Sequence, residues 1–113
     1  MDHLTHWLKA LADPIRLRLL WLLIDGEEHC VCALVEALGL PQSTISRHLR
    51  TLREVDLVRG RRQGTWTHYS LVPQPPELAA VLSALRPALE AAAAAEALPG
   101  AGAPTGACHA LPR

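Results

Sequence analysis

The residues whose types and spacing most directly suggest chemistry are Cys30 and Cys32, one residue apart in the stretch EEHCVCALV. Thiolates bind soft metal and metalloid ions, and the N-terminus of a helix, where this stretch is predicted to lie, favours the thiolate. The chain has one further thiol, Cys108, near its C-terminus. Because an odd number of cysteines does not make a disulfide framework, the thiols are interpreted as ion ligands, redox groups or small buried core residues.

The one-residue spacing would place the two sulfurs on opposite sides of a regular helix, because positions two apart are separated by about 200° around its axis. They could share one ion only if the first turn were unwound or extended. We therefore expect ion binding to distort the start of this helix and to shift the helix packed against it.

Apolar residues recur at helical spacing in four segments of the first half of the chain, which predicts a mainly α-helical fold. The segments are residues 4–11, roughly 14–24 after an Asp13-Pro14 cap, 31–38 before Gly39, and 42–55 after the turn 39–41. The last two predict a helix-turn-helix, whose second helix lies in the major groove of DNA. The predicted DNA-contacting residues on it are Gln42, Ser43, Thr44, Ser46, Arg47, His48 and Arg50. For His48, packing is the alternative to a phosphate contact.

The stretch LVRGRRQGTWTHYSLV, which follows this helix, predicts a β-hairpin with strands at about 57–63 and 65–71 around Gln63-Gly64. A basic hairpin after a recognition helix is typical of a wing, in which Arg61 and Arg62 would contact phosphates or the minor groove. Trp66 or Tyr69 is expected to pack back on the helices. Although the formal net charge is zero, residues 42–72 carry six arginines and only two acids, which indicates a local surface for double-stranded DNA.

A long alanine-rich helix is predicted from Pro75-Pro76 to about residue 97, with a kink at Pro87. Together with the first helix it is the expected homodimer interface, because its apolar face exceeds what a small core would cover. The domain is expected to comprise residues 1–97, and residues 98–113, with Cys108, a flexible tail. No uncharged apolar run of about 18 residues and no signal peptide are present, so we expect a cytoplasmic protein without a membrane partner.

The stretches LADPIRLRLLWLL, CVCALVEALGLPQSTISRHLRTLREVDLV and GRRQGTWTHYSL, in this order, resemble the ArsR/SmtB family of bacterial metal-sensing repressors. The resemblance covers about residues 4–90 and implies a winged-helix homodimer that represses its own operon and leaves DNA when an inducer binds. The CVC sequence resembles the arsenite-sensing branch, which implies that Cys30, Cys32 and a third cysteine bind As(III) or Sb(III). The branch with this thiol pair has its third cysteine where this chain has Val35. Cys108 is therefore the candidate third ligand, beside water, a small thiol or His29.

Three other functions remain open at this stage. The same thiols could sense Cd²⁺, Pb²⁺ or Zn²⁺ with His3, His6 or His109 as a nitrogen ligand. They could form a redox sensor, or the fold could serve a metal carrier that does not bind an operator. The zinc site that the family places on the last helix is not expected, because residues 76–98 contain only three acids and no histidine. No catalytic constellation is present, so an enzyme is not expected.

Overall fold

The order of the secondary-structure elements confirms a winged helix-turn-helix. A computed structural model describes residues 1–99, in which five helices pack with a small three-stranded antiparallel sheet. The elements are α1 (Asp2–Leu11), α2 (Pro14–Leu23), β1 (His29–Cys30), α3 (Val31–Leu38), α4 (Gln42–Glu54), β2 (Val58–Gln63), β3 (Trp66–Leu71) and α5 (Pro76–Ala95).

The helix-turn-helix is formed by α3 and α4, as the apolar spacing predicts. Gly39 ends α3 in the left-handed conformation with φ of 65°, and its N–H donates to the Val35 carbonyl at 2.8 Å. Pro41 precedes α4, whose residues Ile45 and Leu49 are fully buried. Since these two side chains anchor the inner side of α4, its opposite face is left to solvent.

The sheet has three strands in the order β1-β3-β2, one more than the predicted hairpin. The added strand, β1, is only two residues long and pairs with β3, His29 opposite Tyr69 and Cys30 opposite His68. The hairpin loop is Gly64-Thr65, one residue later than predicted, since Gln63 and Trp66 form the last pair. The prediction that Trp66 or Tyr69 packs back on the helices is confirmed, because Tyr69 is buried in the core and Trp66 is half-buried against it.

The wing is tied to α1 by one glutamine. Gln74, after β3, accepts a hydrogen bond from the Trp7 indole N–H at 2.9 Å, and its amide donates to the carbonyls of Asp56 and Val72. Trp7 is fully buried. The wing therefore cannot rotate on α4 without breaking contacts inside the core.

The last helix packs on α2 and continues as one helix through Pro87. At its end, Glu96 pairs with Arg18 at 2.6 Å, and the Trp21 indole N–H donates to the Pro99 carbonyl at 2.9 Å. The body of the protein thus includes residues 98 and 99. Cys108 and His109 lie outside the described residues.

Apolar surface is left uncovered on α1 and α5. The exposed large apolar side chains within these helices are Leu4, Leu8 and Val81. Among residues 1–99, α5 is the one helix long and apolar enough to cross a membrane, although Arg86 and Glu90 lie within it. An exposed apolar face of this kind is typical of an interface with another protein.

Asp13 should stabilise α2 mainly as a cap, because its carboxylate accepts the N–H groups of Ile15 at 2.9 Å and Arg16 at 3.1 Å. We expect Asp13→Ala to lower the free energy of unfolding by about 1 kcal/mol in urea denaturation. Asp13→Ser, which keeps an acceptor oxygen, should restore most of it. Equal losses in the two variants would contradict a capping role.

Candidate thiol site and DNA-binding surface

Cys30 lies where the sheet meets the helix-turn-helix. It is the last residue of β1 and the N-cap of α3, with φ −62° and ψ 142°. Its Sγ accepts a hydrogen bond from the Cys32 backbone N–H at 3.3 Å. Regular helical spacing therefore does not apply to this pair: Cys30 is extended, and helix geometry does not hold the two sulfurs apart.

The Cys30 thiol is deeply enclosed, with 2% of the residue exposed, whereas Cys32 is half-buried. Directly opposite Cys30 on β3 lies His68, which is 7% exposed. Opposed residues of an antiparallel pair share one face of the sheet, so Cys30 and His68 are neighbours. This neighbour of His68 could not be predicted from the sequence, because the strand that creates the contact is too short to show an alternating pattern.

His29, proposed from the sequence as a possible third ligand, is engaged elsewhere. Its Nε2 lies 3.1 Å from both carboxylate oxygens of Asp25. Because successive strand residues point to opposite faces, His29 also faces away from Cys30. These contacts disfavour His29 as the third ligand.

The described part of one protomer does not contain a complete ion site. Within residues 1–99, no group of three His, Cys, Asp or Glu side chains is arranged to hold a metal ion. His3 and His6 are exposed on α1, and Val35 is half-buried on α3. Cys30 and Cys32 are the two cysteines among residues 1–99, so a third sulfur is not present in the described part of the chain.

The outer face of α4 is polar and basic, as predicted. Gln42, Ser43, Arg47, Arg50 and Arg53 are exposed, and Thr44 and Ser46 are half-buried beside them. The α4 N-terminus has no side-chain cap. A helix end of this kind presents backbone N–H groups that suit a phosphate.

His48 does not share this outer face. Its side chain is 11% exposed and packs on the inner side of α4. Its Nδ1 lies 3.2 Å from Arg16 Nη1 and 3.8 Å from an Asp13 carboxylate oxygen. Arg16 also donates to the Ala10 carbonyl at 2.6 Å, which closes the end of α1. His48 is therefore placed to hold α4 against the α1–α2 junction rather than to contact DNA.

The pKa values of His48 and Asp13 at this junction both lie below their ordinary values. Burial lowers the pKa of His48, and the positive charges of Arg16 and Arg47 add to the effect, against the opposing charge of Asp13. Burial alone would raise the pKa of Asp13, but the backbone N–H groups of Arg16 and Ile15 and the nearby positive charges lower it overall. A neutral imidazole also fits the contact, since Arg16 can only donate to Nδ1.

The two wing arginines differ in their surroundings. Arg61 donates to Glu28 through Nε at 2.8 Å and Nη2 at 2.7 Å. The hydrogen bonds and charge of Arg61 lower the pKa of Glu28, and Glu28 raises that of Arg61. Arg62, the next residue, is exposed. The sequence predicted both arginines as DNA contacts but did not indicate the ion pair with Glu28, because 33 positions separate Glu28 from Arg61.

The contacts of His48 predict a pH-dependent stability. A folded pKa below the ordinary value means that the unfolded chain binds the proton more tightly, so stability falls as pH drops below about 6.5. We expect part of this fall, measured as the free energy of unfolding in urea between about pH 7.5 and pH 5, to be absent in His48→Gln. The exposed His3→Gln is the control and should follow the wild type. A pH profile of His48→Gln identical to that of the wild type would refute this role.

Comparisons with known proteins agree with this architecture. Residues 13–59 match the family model described as bacterial regulatory protein, arsR family. The arsenical resistance operon repressor of Escherichia coli K12 is 50% identical over 72 residues, 64% of this chain and 62% of that protein. The transcriptional repressor SmtB homologue of Synechocystis is 44% identical over 70 residues, 62% of this chain and 52% of that protein. The chain thus matches less than two thirds of the length of either relative.

A solved structure extends the match to nearly the whole domain. The homodimeric winged helix-turn-helix DNA-binding domain of Mb0332 from Mycobacterium bovis, a possible ArsR-family transcriptional regulator, has a TM-score of 0.65 and 32% identity to this chain. The match covers 84% of this chain and 83% of that domain. On its fold, its helix-turn-helix sequence and these relatives, the chain belongs to the ArsR/SmtB family of winged helix-turn-helix transcriptional regulators.

Proposed function

We propose that the protein is a homodimeric repressor that releases its operator when Cys30, Cys32 and a third sulfur bind As(III) or Sb(III). The observation that carries this proposal is the position of the Cys30 sulfur, which caps the helix-turn-helix and lies on the strand that pairs with the wing. The relative named arsenical resistance operon repressor supports the choice of ion. Trivalent arsenic takes three sulfurs in a pyramid, and Cys108 is the remaining thiol of the chain.

In the repressing state, α4 reads the major groove. The N-terminal half of the recognition helix contacts base edges in proteins of this fold, and here that half carries Gln42, Ser43, Ser46 and Arg47. Arg50 and Arg62, both exposed, are in position for the phosphate backbone. The proposed location of the protein is the cytoplasm, where its DNA partner lies.

Ion binding competes with the folded start of α3. An ion reaches the Cys30 sulfur only when the thiol leaves its enclosed position, and this movement breaks the hydrogen bond from the Cys32 N–H. Both changes displace the β1–α3 junction, and α3 packs directly on α4. The affinities for ion and DNA are then reciprocally linked, typically by about 1–3 kcal/mol, or roughly 5- to 150-fold.

A second subunit covers the apolar face of α1 and α5. The exposed Leu4, Leu8 and Val81 lie on these helices, and the matching domain of Mb0332 is a homodimer. Two recognition helices related by a two-fold axis contact a palindromic site with half-sites about 34 Å apart or a multiple of that distance. This use of α5 accounts for its apolar composition without a membrane.

The ion specificity is tested by titrating arsenite, antimonite, Cd²⁺ and Zn²⁺ into the complex with a palindromic promoter fragment. A non-thiol reductant excludes oxidation. We expect arsenite and antimonite to release the wild-type protein from the DNA fragment. Cys30→Ser and Cys32→Ser should bind the fragment but resist release, because each variant loses one sulfur ligand. Cys108→Ser should weaken the response if this thiol supplies the third bond.

Other outcomes would replace the proposal. Release of Cys30→Ser or Cys32→Ser by arsenite at wild-type concentrations would overturn the ion site. Release by Cd²⁺ or Zn²⁺ alone would indicate a sensor of divalent ions. Arsenite binding without retention of the fragment would indicate a metal carrier.

The DNA-reading role of α4 predicts a difference between two arginines on the same helix. Arg47→Gln should lower operator affinity about tenfold, the range of a lost base contact, because Arg47 lies in the half of α4 that enters the groove. Arg53→Gln removes the same charge near the C-terminal end and serves as the matched control, with a loss of about twofold or less. Fluorescence anisotropy measures both. A larger loss for Arg53→Gln would contradict this placement of the helix.

A further inference from the structure

The two edges of the small sheet are joined by one ion pair. Glu28 lies just before β1, Arg61 lies on β2, and β3 runs between these strands. Neighbouring strands are about 4.8 Å apart, so the pair spans about 10 Å across the face of β3. Both ends of the Arg61 fork contact the carboxylate, Nε at 2.8 Å and Nη2 at 2.7 Å.

The register explains why these two residues meet. Cys30, His68 and Arg61 are successive partners across β1, β3 and β2 and therefore share one face. Glu28 precedes Cys30 by two positions, and its carboxylate feels the positive charges of Arg61, His68 and Arg59. Glu28 is thus an acidic side chain held within a basic cluster of the wing.

A carboxylate that binds an arginine fork through two oxygens uses the same donors that a phosphate would use. Arg61 Nη2 also donates to Gln63 Oε1 at 3.1 Å, which further occupies the guanidinium. The pair is exposed, with 52% of the Arg61 side chain and 42% of the Glu28 side chain accessible. An exposed ion pair is weak enough for a phosphate to displace.

We propose that the Glu28 carboxylate is an internal competitor of the DNA phosphodiester backbone for Arg61. While Glu28 binds Arg61, the guanidinium is not available to a DNA phosphate. Arg61 contacts DNA only when the ion pair breaks. The inference rests on the proposed DNA-binding function and adds to it an acidic residue that limits operator affinity. Since Glu28 lies two residues from Cys30, movement of β1 that exposes the thiol also moves the competitor.

The test compares E28Q with E27Q, using fluorescence anisotropy over a range of salt concentrations with an operator fragment and a non-specific duplex. Glu27 is exposed and carries the same charge one position away, but the contact it makes to Asp25 uses its backbone N–H. We expect E28Q to bind both duplexes about two- to fivefold more tightly than E27Q, the range of an exposed ion pair. The slope of log affinity against log salt should steepen by up to about 0.9, the value of one added phosphate contact.

The double variant E28Q/R61Q identifies the target of the competition. In the R61Q background, E28Q should no longer raise affinity relative to E27Q. If E28Q and E27Q behave alike on both duplexes, or if the gain persists without Arg61, the inference is wrong. Failure of the wild type to prefer the operator over the non-specific duplex overturns the repressor function instead.

Discussion

The hydrogen bond from the Cys32 N–H to the Cys30 sulfur is the contact on which the rest of the site depends. It fixes the N-terminus of α3, and the same cysteine is held in register with His68 on β3. One residue therefore belongs to the sheet that carries the wing and to the helix that supports α4. Under the proposed function, a soft ion that binds this sulfur acts at once on both elements proposed to contact DNA. The cost of binding then lies in moving a capping sulfur out of a buried position, not in unwinding a regular helix.

The arginines of the chain are divided between structural ion pairs and exposed surface. The chain has no net charge, and several of its arginines have structural partners: Arg16 holds the α1–α2 junction, Arg18 pairs with Glu96, and Arg61 pairs with Glu28. The proposed DNA-binding surface consists of the exposed Arg47, Arg50 and Arg62. With so few arginines on it, the release of one further arginine or the displacement of one helix is expected to change DNA affinity by a measurable fraction.

Much of the fold could be predicted from the sequence because its signals are local. The apolar spacing and the Asp13-Pro14 cap gave α2, and Gly39 gave the end of α3 within a residue. The features that were missed or left open depend on contacts between distant positions. The strand β1 is two residues long and pairs with β3, His48 packs inward against Arg16 and Asp13, and Glu28 pairs with Arg61 across β3. The thiol geometry differs from that of a regular helix because Cys30 lies one residue before α3, where it is extended and caps the helix.

The most direct test of the account is amide hydrogen exchange of the DNA-free protein with and without arsenite. Arsenite should increase exchange of the Cys32 amide, whose acceptor is the Cys30 sulfur, and of the β1–β3 amides, while the second half of α3 keeps its protection. Protection of the Cys32 amide that stays unchanged when arsenite is bound would contradict the account, because the Cys30 sulfur would then bind the ion without leaving its capping position.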